Sequence, residues 1–349
     1  MKLMNKAAFI ALLMTPTLLH ADIPQVQIQA VAETAAIKGD ADDPAIWVHP
    51  TDGAKSLILG TDKTRGLYVF DLEGREVALF EDGKLNNVDI RPFSLNGEAV
   101  WIASAAEREH ETLVFYVINA DGQIAHGAPF AFPGVPAQMA DTVKDIYGSA
   151  LQSDPETGRL FAWVNFKSGD ILQYEVTETN GQLDLTYLRR LEVDSQPEGM
   201  VTDDKAGHLY VGEEDVAIWR FPSLPDKGDT ATLITQIPSD CFPKDDIEGL
   251  TIYDGTDAKY LVASSQGIHR AALFPLDGDI IPTCVGLVEI AAGEFDGVTE
   301  TDGLDVVAAP LGPKFPKGAL VMMDDQNAGF STNFKIMSWA DVATALSLK

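Results

Sequence analysis

One three-part phrase recurs six times along this chain, and its first part keeps placing a carboxylate near the start of a strand. The openings read DDPAIWVHP, NNVDIRPF, DIYGSALQS, PEGMVTDD, DIEGLTIYD and ETDGLDVVA. A short apolar run follows each: SLILGTDK, AVWIASAAE, RLFAWVNFK, HLYVGEED, YLVASSQG and ALVMMDDQ. An alternating run such as GLYVFDLEG or ILQYEVTETNG then usually closes on a turn. The middle runs begin near residues 56, 99, 159, 208, 259 and 318, a loose period of roughly 40 to 60 residues that matches propeller blades. A blade is a small sheet that cannot bury its own faces until neighbours stack on it. The expected fold is all-β, a six-bladed β-propeller with a central acidic channel. Ring closure gathers six strand starts around one axis, so a site there is assembled by geometry and not by one local motif.

The chain opens with MKLMNKAAFIALLMTPTLLHA. Lys2 and Lys6 form a positive start, Ala7 to Leu19 is apolar, and the Leu-His-Ala end suits a cleavage site, so residues 1–21 are expected to be a secretory signal. The apolar run is shorter than the roughly 20 residues a spanning helix needs, and Pro16 interrupts it. A periplasmic or secreted location is expected, with residues 22–349 forming a single propeller domain. Residues 22–36 are placed to supply an outer strand that closes the ring. A monomer is the default, because a closed propeller has no obligatory partner surface.

The 53 acidic and 25 basic residues give a formal charge of −28, and removing Lys2 and Lys6 with the signal takes it to −30. Such a field disfavours nucleic acid and anionic membranes as partners. Cys241 and Cys284 are the only cysteines. In an exported protein a pair of this kind forms one disulfide or remains two unpaired thiols, and neither residue looks catalytic.

The chain contains no G-x-S-x-G elbow, no H-E-x-x-H, no P-loop and no contiguous EF-hand loop. Its six histidines show no zinc-like spacing. Hard oxygen donors dominate, and these suit calcium. The candidate ligands are Asp43, Glu198, Asp246, Glu248, Asp302 and Asp305 at blade openings, with Glu213, Glu214 and Asp215 one strand later. Asp324 and Asp325 end the last middle strand. Packing several carboxylates together costs repulsion unless they protonate or bind cations; taken singly, each could instead bond to turn backbone or cap a strand end. Lys63 and Lys167 follow the middle strands of the first and third blades, and Arg108 sits slightly beyond that place in the second. Beside an acidic cluster these three cations could grip an anion, with Tyr147 donating a hydrogen bond to it.

At these residues the chain resembles the β-propeller phytases, calcium-dependent phosphatases acting on inositol hexakisphosphate. The matching phrases run in the family's order from about residue 40 to 339: DDPAIWVHP, GLYVFDLEG, NNVDIR, IYG, QYE, EGM with DD, EEDVAIWRF, DIEGLTIY, ASSQG, TDGLDV, LGP and NFKIMSW. The resemblance implies several calcium ions in the axial channel and at its mouth. It places their ligands on Asp43, Glu198, Glu214, Asp246, Glu248, Asp302 and Asp325, with Gln266 near the metals. Lys63, Tyr147 and Lys167 match positions that hold phosphate. The family usually has an arginine in an S-N-R phrase after the second middle strand. Here ASAAEREHET puts Ala106 in the gapless register, with Arg108 two residues on. NFKSGD keeps the lysine but lacks the acidic residue that commonly follows it.

The expected reaction is hydrolysis of phytate, or calcium-phytate, with release of inorganic phosphate. Attack comes from a calcium-bound water, Lys63 and Lys167 stabilise the phosphoryl charge, and no covalent intermediate is needed. Two alternatives stand beside it: a propeller lactonase or esterase using one calcium, and a non-catalytic calcium-stabilised binding propeller.

Overall fold

The continuous apolar middle runs predict sheets buried on both faces, and the computed structural model packs them so. It describes residues 23–349 apart from 140, 328 and 330; the expected signal, residues 1–21, lies outside that range. Six sheets follow one another along the chain. Their inner strands are Ala41–Trp47, Leu85–Leu95, Ile146–Ser153, Pro197–Asp203, Ile247–Asp254 and Leu304–Val307. Each inner strand touches the next, and the sixth touches the first, which closes a six-bladed β-propeller.

The hydrophobic core is divided into six clusters, one at each seam between adjacent blades. Successive side chains of one strand feed opposite seams, as the period of two requires. In the fifth blade's second strand, Leu261 and Ala263 face the fourth blade while Tyr260 and Val262 face the sixth. In the sixth, Leu320 and Met322 pack towards the fifth blade, and Val321 and Met323 towards the first. No blade holds a core of its own, so the seams make the ring cooperative.

Both chain ends fasten the ring. Ala32–Glu33 forms the outer strand of the sixth blade, antiparallel to Ser331–Ser338. Gln25–Ile28 joins the fifth blade instead, as an extra strand parallel to Gly286–Ile290. The short C-terminal helix Trp339–Ala345 stacks Trp339 on Tyr253 at a ring-centroid distance of 4.0 Å. A disulfide joins Cys241 to Cys284, tying the approach to the fifth blade to the segment that leads into its fourth strand. No helix among the described residues is long and apolar enough to cross a membrane.

The closure carries one buried cation. Lys335 is fully buried, 2.6 Å from Glu33 Oε2 on the closing strand and 3.3 Å from Asp324 Oδ2, with Asp296 also paired to it. Removing one partner from a buried ion cluster leaves uncompensated charge. Lys335→Met is therefore expected to lower unfolding stability by about 3 kcal/mol, read by urea denaturation; an unchanged midpoint would show that this cluster does not hold the ring closed.

Candidate functional site

Five inner strands are irregular at the same place. Their pairing with the second strand slips between Ala41 and Pro44, Leu85 and Val88, Ile146 and Ser149, Pro197 and Met200, and Ile247 and Leu250. A bulge bends the strand and re-aims the side chains it carries. The first residues inside these slips are Asp42, Asn86, Tyr147, Glu198 and Glu248, and Asp302 precedes the sixth inner strand. Glycine follows four of them, at Gly148, Gly199, Gly249 and Gly303. A β-carbon on Gly148 would lie 2.1 Å from the Glu198 carbonyl oxygen, and one on Gly199 2.1 Å from that of Glu248. Only a residue without a side chain lets the next blade approach this far. Backbone bonds from Gly249 to Asp302 (2.8 Å) and from Gly303 to Asp42 (2.9 Å) complete the contact.

A second ring surrounds the first. Just past each middle strand, or at its bulge in the sixth blade, one backbone N–H reaches back to the segment before the inner strand. Lys63 donates to Asp40 (2.8 Å), Arg108 to Lys84 (2.9 Å) and Lys167 to Asp145 (3.1 Å). Glu214 donates to Gln196 (3.1 Å), Gln266 to Asp246 (3.2 Å) and Asp325 to Thr299 (3.1 Å). Arg108 thus occupies the equivalent place in the second blade, not one beyond it. Ala106 lies fully buried in the seam between the second and third blades. The extra length of the second middle strand, Glu98–Glu107, is what the gapless register overlooked.

The mouth is polarised. Blades one to three contribute Lys63, Arg108, Lys167 and Tyr147, with Asp42 beside Lys63; blades four to six contribute Glu198, Glu214, Asp246, Glu248, Asp302 and Asp325. Lys63 Nζ sits 2.5 Å from Asp302 and 3.2 Å from Asp42, spanning the seam. Burial works against its charge, but Asp42 and Asp302 outweigh that and hold the ammonium above its usual range. Lys167 Nζ lies 4.1 Å and the Arg108 guanidinium 5.1 Å from the centre of the Tyr147 ring, within the range of cation–π attraction. Burial, then Glu198 and Glu248, push the Tyr147 hydroxyl upward, so it stays a proton donor.

On the acidic side, one oxygen each of Glu198, Glu214 and Glu248 lies within 4.8 Å of the others. Glu248 Oε2 is buried with no hydrogen-bonding partner, an orphan that an oxygen-seeking cation would satisfy. Gln196 donates to Glu214 at 2.6 Å, Asn86 to Glu198 at 2.8 Å, and Gln266 to Asp302. The Glu198 carbonyl oxygen is held by Asn165 at 2.7 Å. This convergent all-oxygen donor set fits a hard divalent cation.

Some expected ligands go elsewhere. Asp43 leaves the ring to its neighbour Asp42: its Oδ2 accepts the Val88 N–H at 3.0 Å, and it lines an axial cavity of about 290 Å³ with Asp89, Arg91, Thr202, Thr251 and Asp305. Asp305 accepts from Ile46 N–H (2.8 Å) and the Thr251 hydroxyl (2.7 Å), which makes it a strand-to-strand clamp deeper in the channel. Glu213 accepts from Ser195 and Trp219. Asp324 accepts from Thr299 and pairs with Lys335. Along the end of a strand side chains alternate, so Glu213 and Asp324 face away where Glu214 and Asp325 face the mouth. Asp215 pairs with Asp246 at the rim. Sequence reasoning missed Asp42, Asn86 and Gln196. The doubled carboxylate of DDPA and the shared first position of NNVD and DDPA were the available signals.

A family model for phytase matches residues 3–349. The chain belongs to the phytase family. One member, the 3-phytase of Bacillus subtilis (strain 168), is 38% identical over 359 residues, covering 99% of this chain and 93% of that protein. Among solved structures, the β-propeller domain of Cps50 (Swd1) from Myceliophteria thermophila aligns with a TM-score of 0.46 and 11% identity, over 83% of this chain and 82% of that one.

The crowding in this phytase-family mouth has a measurable consequence. Burial, with Glu198 opposing them, raises Asp42 and Glu214 to about 7 and Asp302 to about 8. Burial and Asp215 raise Asp246 to about 6. Acids raised on folding bind more protons in the native state, so their stabilising effect is complete below about pH 4, their unfolded range. It is lost as pH rises through 6 to 8. The cation-free protein should therefore melt at falling temperature from pH 4.5 to pH 8, as followed by circular dichroism. A melting temperature that rises across that window would contradict the crowding.

Proposed function

We propose that the protein is a calcium-dependent phosphatase that hydrolyses phytate and releases inorganic phosphate, acting in the periplasm or outside the cell. One observation carries this reading: a three-carboxylate cluster and the three cations Lys63, Arg108 and Lys167 meet at a single mouth. The family and the 3-phytase relative support the substrate, and the all-oxygen donor set supports the metal.

Glu198, Glu214 and Glu248 would hold calcium, with Asp42, Asp246, Asp302 and Asp325 around them and Gln266 bracing Asp302. Calcium, when bound, offsets the carboxylate charge, polarises the phosphoryl group and lowers the pKa of water. Lys63, Arg108 and Lys167 bind phosphoryl oxygens and stabilise the charge that grows on them. Tyr147 donates a hydrogen bond from its un-ionised hydroxyl. The carboxylates on the far side accept the proton that water gives up as its oxygen bonds to phosphorus, and the inositol oxygen freed when the ester P–O bond breaks takes up a proton to leave as the alcohol. A single-metal lactonase would leave the convergence of Lys63, Arg108 and Lys167 without a role.

Purified protein should release phosphate from phytate with added calcium and lose that release on chelation. Lys63→Met should lower kcat/KM by about a hundredfold, and Glu248→Gln should require far more calcium for half-maximal rate. Equal release by chelated and calcium-loaded protein would overturn the reading.

A further inference from the structure

Asn86 is the odd member of the inner ring. Its counterparts in the other blades are Asp42, Tyr147, Glu198, Glu248 and Asp302, all able to carry charge or donate a phenolic proton. Asn86 is 0% exposed, so it lies beneath the mouth and out of reach of a substrate. Yet its carboxamide is fully engaged. Nδ2 donates to Glu198 Oε1 at 2.8 Å and to Asn87 Oδ1 at 3.0 Å, while Oδ1 accepts from Arg108 Nη1 at 3.3 Å. Glu198 belongs to the carboxylate cluster of the fourth and fifth blades, and Arg108 to the cationic arc of the first three.

We propose that Asn86 is a positioning residue that couples these halves, aiming Glu198 at the cation and Arg108 at the substrate phosphate through one buried amide. The chemistry of its partners selects this side chain. An ionised carboxylate only accepts hydrogen bonds and a guanidinium only donates them. A group serving both must present a donor and an acceptor in fixed opposition, which a carboxamide does. Aspartate would serve Arg108 but repel Glu198, and leucine would serve neither. The bonds also fix the amide's orientation, because the flipped form would set N–H against guanidinium and oxygen against carboxylate.

This inference rests on the proposed function, its Arg108 half on the phosphatase reading and its Glu198 half on the calcium reading. Its test is a pair of double-mutant cycles. In the first, Asn86→Leu should raise KM for phytate about tenfold in the parent but leave KM unchanged in Arg108→Ala. In the second, calorimetric titration of chelator-stripped protein should show Asn86→Leu weakening calcium binding about tenfold, with no added loss in Glu198→Gln. The second cycle needs no turnover, so absence of phytate hydrolysis would sink the phosphatase reading while the coupling to Glu198 is still measured. Additive effects in both cycles, or unchanged KM and calcium affinity in Asn86→Leu, would overturn the proposal. If Asn86→Leu fails to fold by circular dichroism, Asn86→Ser removes the same carboxamide at smaller volume and carries both cycles.

Discussion

Adjacent inner strands approach so closely at their bulges that a β-carbon on Gly148 or Gly199 would overlap the next strand's carbonyl oxygen, and the geometry of the mouth depends on that approach. The apolar seams draw the blades together by burying side chains that no single blade can cover. Glycine at the second bulge position removes the last steric obstacle. Hydrophobic packing thus does electrostatic work: seams far from the mouth hold Glu198, Glu214 and Glu248 closer than like charges would settle in water.

That division of labour explains which carboxylates are spent on the scaffold. Asp305, Glu213 and Asp324 satisfy backbone or side-chain donors, and once so occupied they have few lone pairs left for a cation. Glu248 keeps a buried oxygen with no partner. A buried polar atom left unsatisfied is costly, and in the proposed reading a cation bound by the acidic cluster would offset that cost. The same distinction separates Asp42 from Asp43. They are neighbours in sequence, but the bulge turns one to the ring and leaves the other bonded to Val88 N–H.

Much of this was legible in the sequence because repetition survives without contacts. Six openings at a blade period imply a ring, and a ring implies that Glu198, Glu248 and Asp302 meet. What the residues could not show was register within a bulge. The resemblance places a ligand on Asp43, and the slip between Ala41 and Pro44 that turns Asp42 to the ring instead is invisible in DDPAIW. Arg108 was placed too far along for a related reason: the second middle strand is longer than its fellows, and only the bond from its N–H to Lys84 fixes the equivalence. Asn86 carried no charge to attract notice, although its position in NNVD matched that of Asp42 in DDPA.

The two rings together show how a strongly acidic protein can receive a polyanion. The formal charge of −28 repels phosphate esters at long range, but fields between exposed charges fade within about a Debye length, near 8 Å at physiological ionic strength. At contact the local arrangement decides. Blades one to three present Lys63, Arg108 and Lys167, and blades four to six all of the ring's carboxylates except Asp42, which lies beside Lys63 on the first blade. Tyr147 lies on the cationic side against two of those charges, and Lys63 crosses the boundary to Asp302. In the proposed reading a phosphate seated at that boundary would meet donors from one half and, through a bound cation, attraction from the other. Neither half would then suffice alone: without the cation the carboxylates would repel the ester, and without the basic arc the cation would hold it with no fixed orientation. The amide of Asn86, bonded to a member of each half, lies where that interdependence would be enforced.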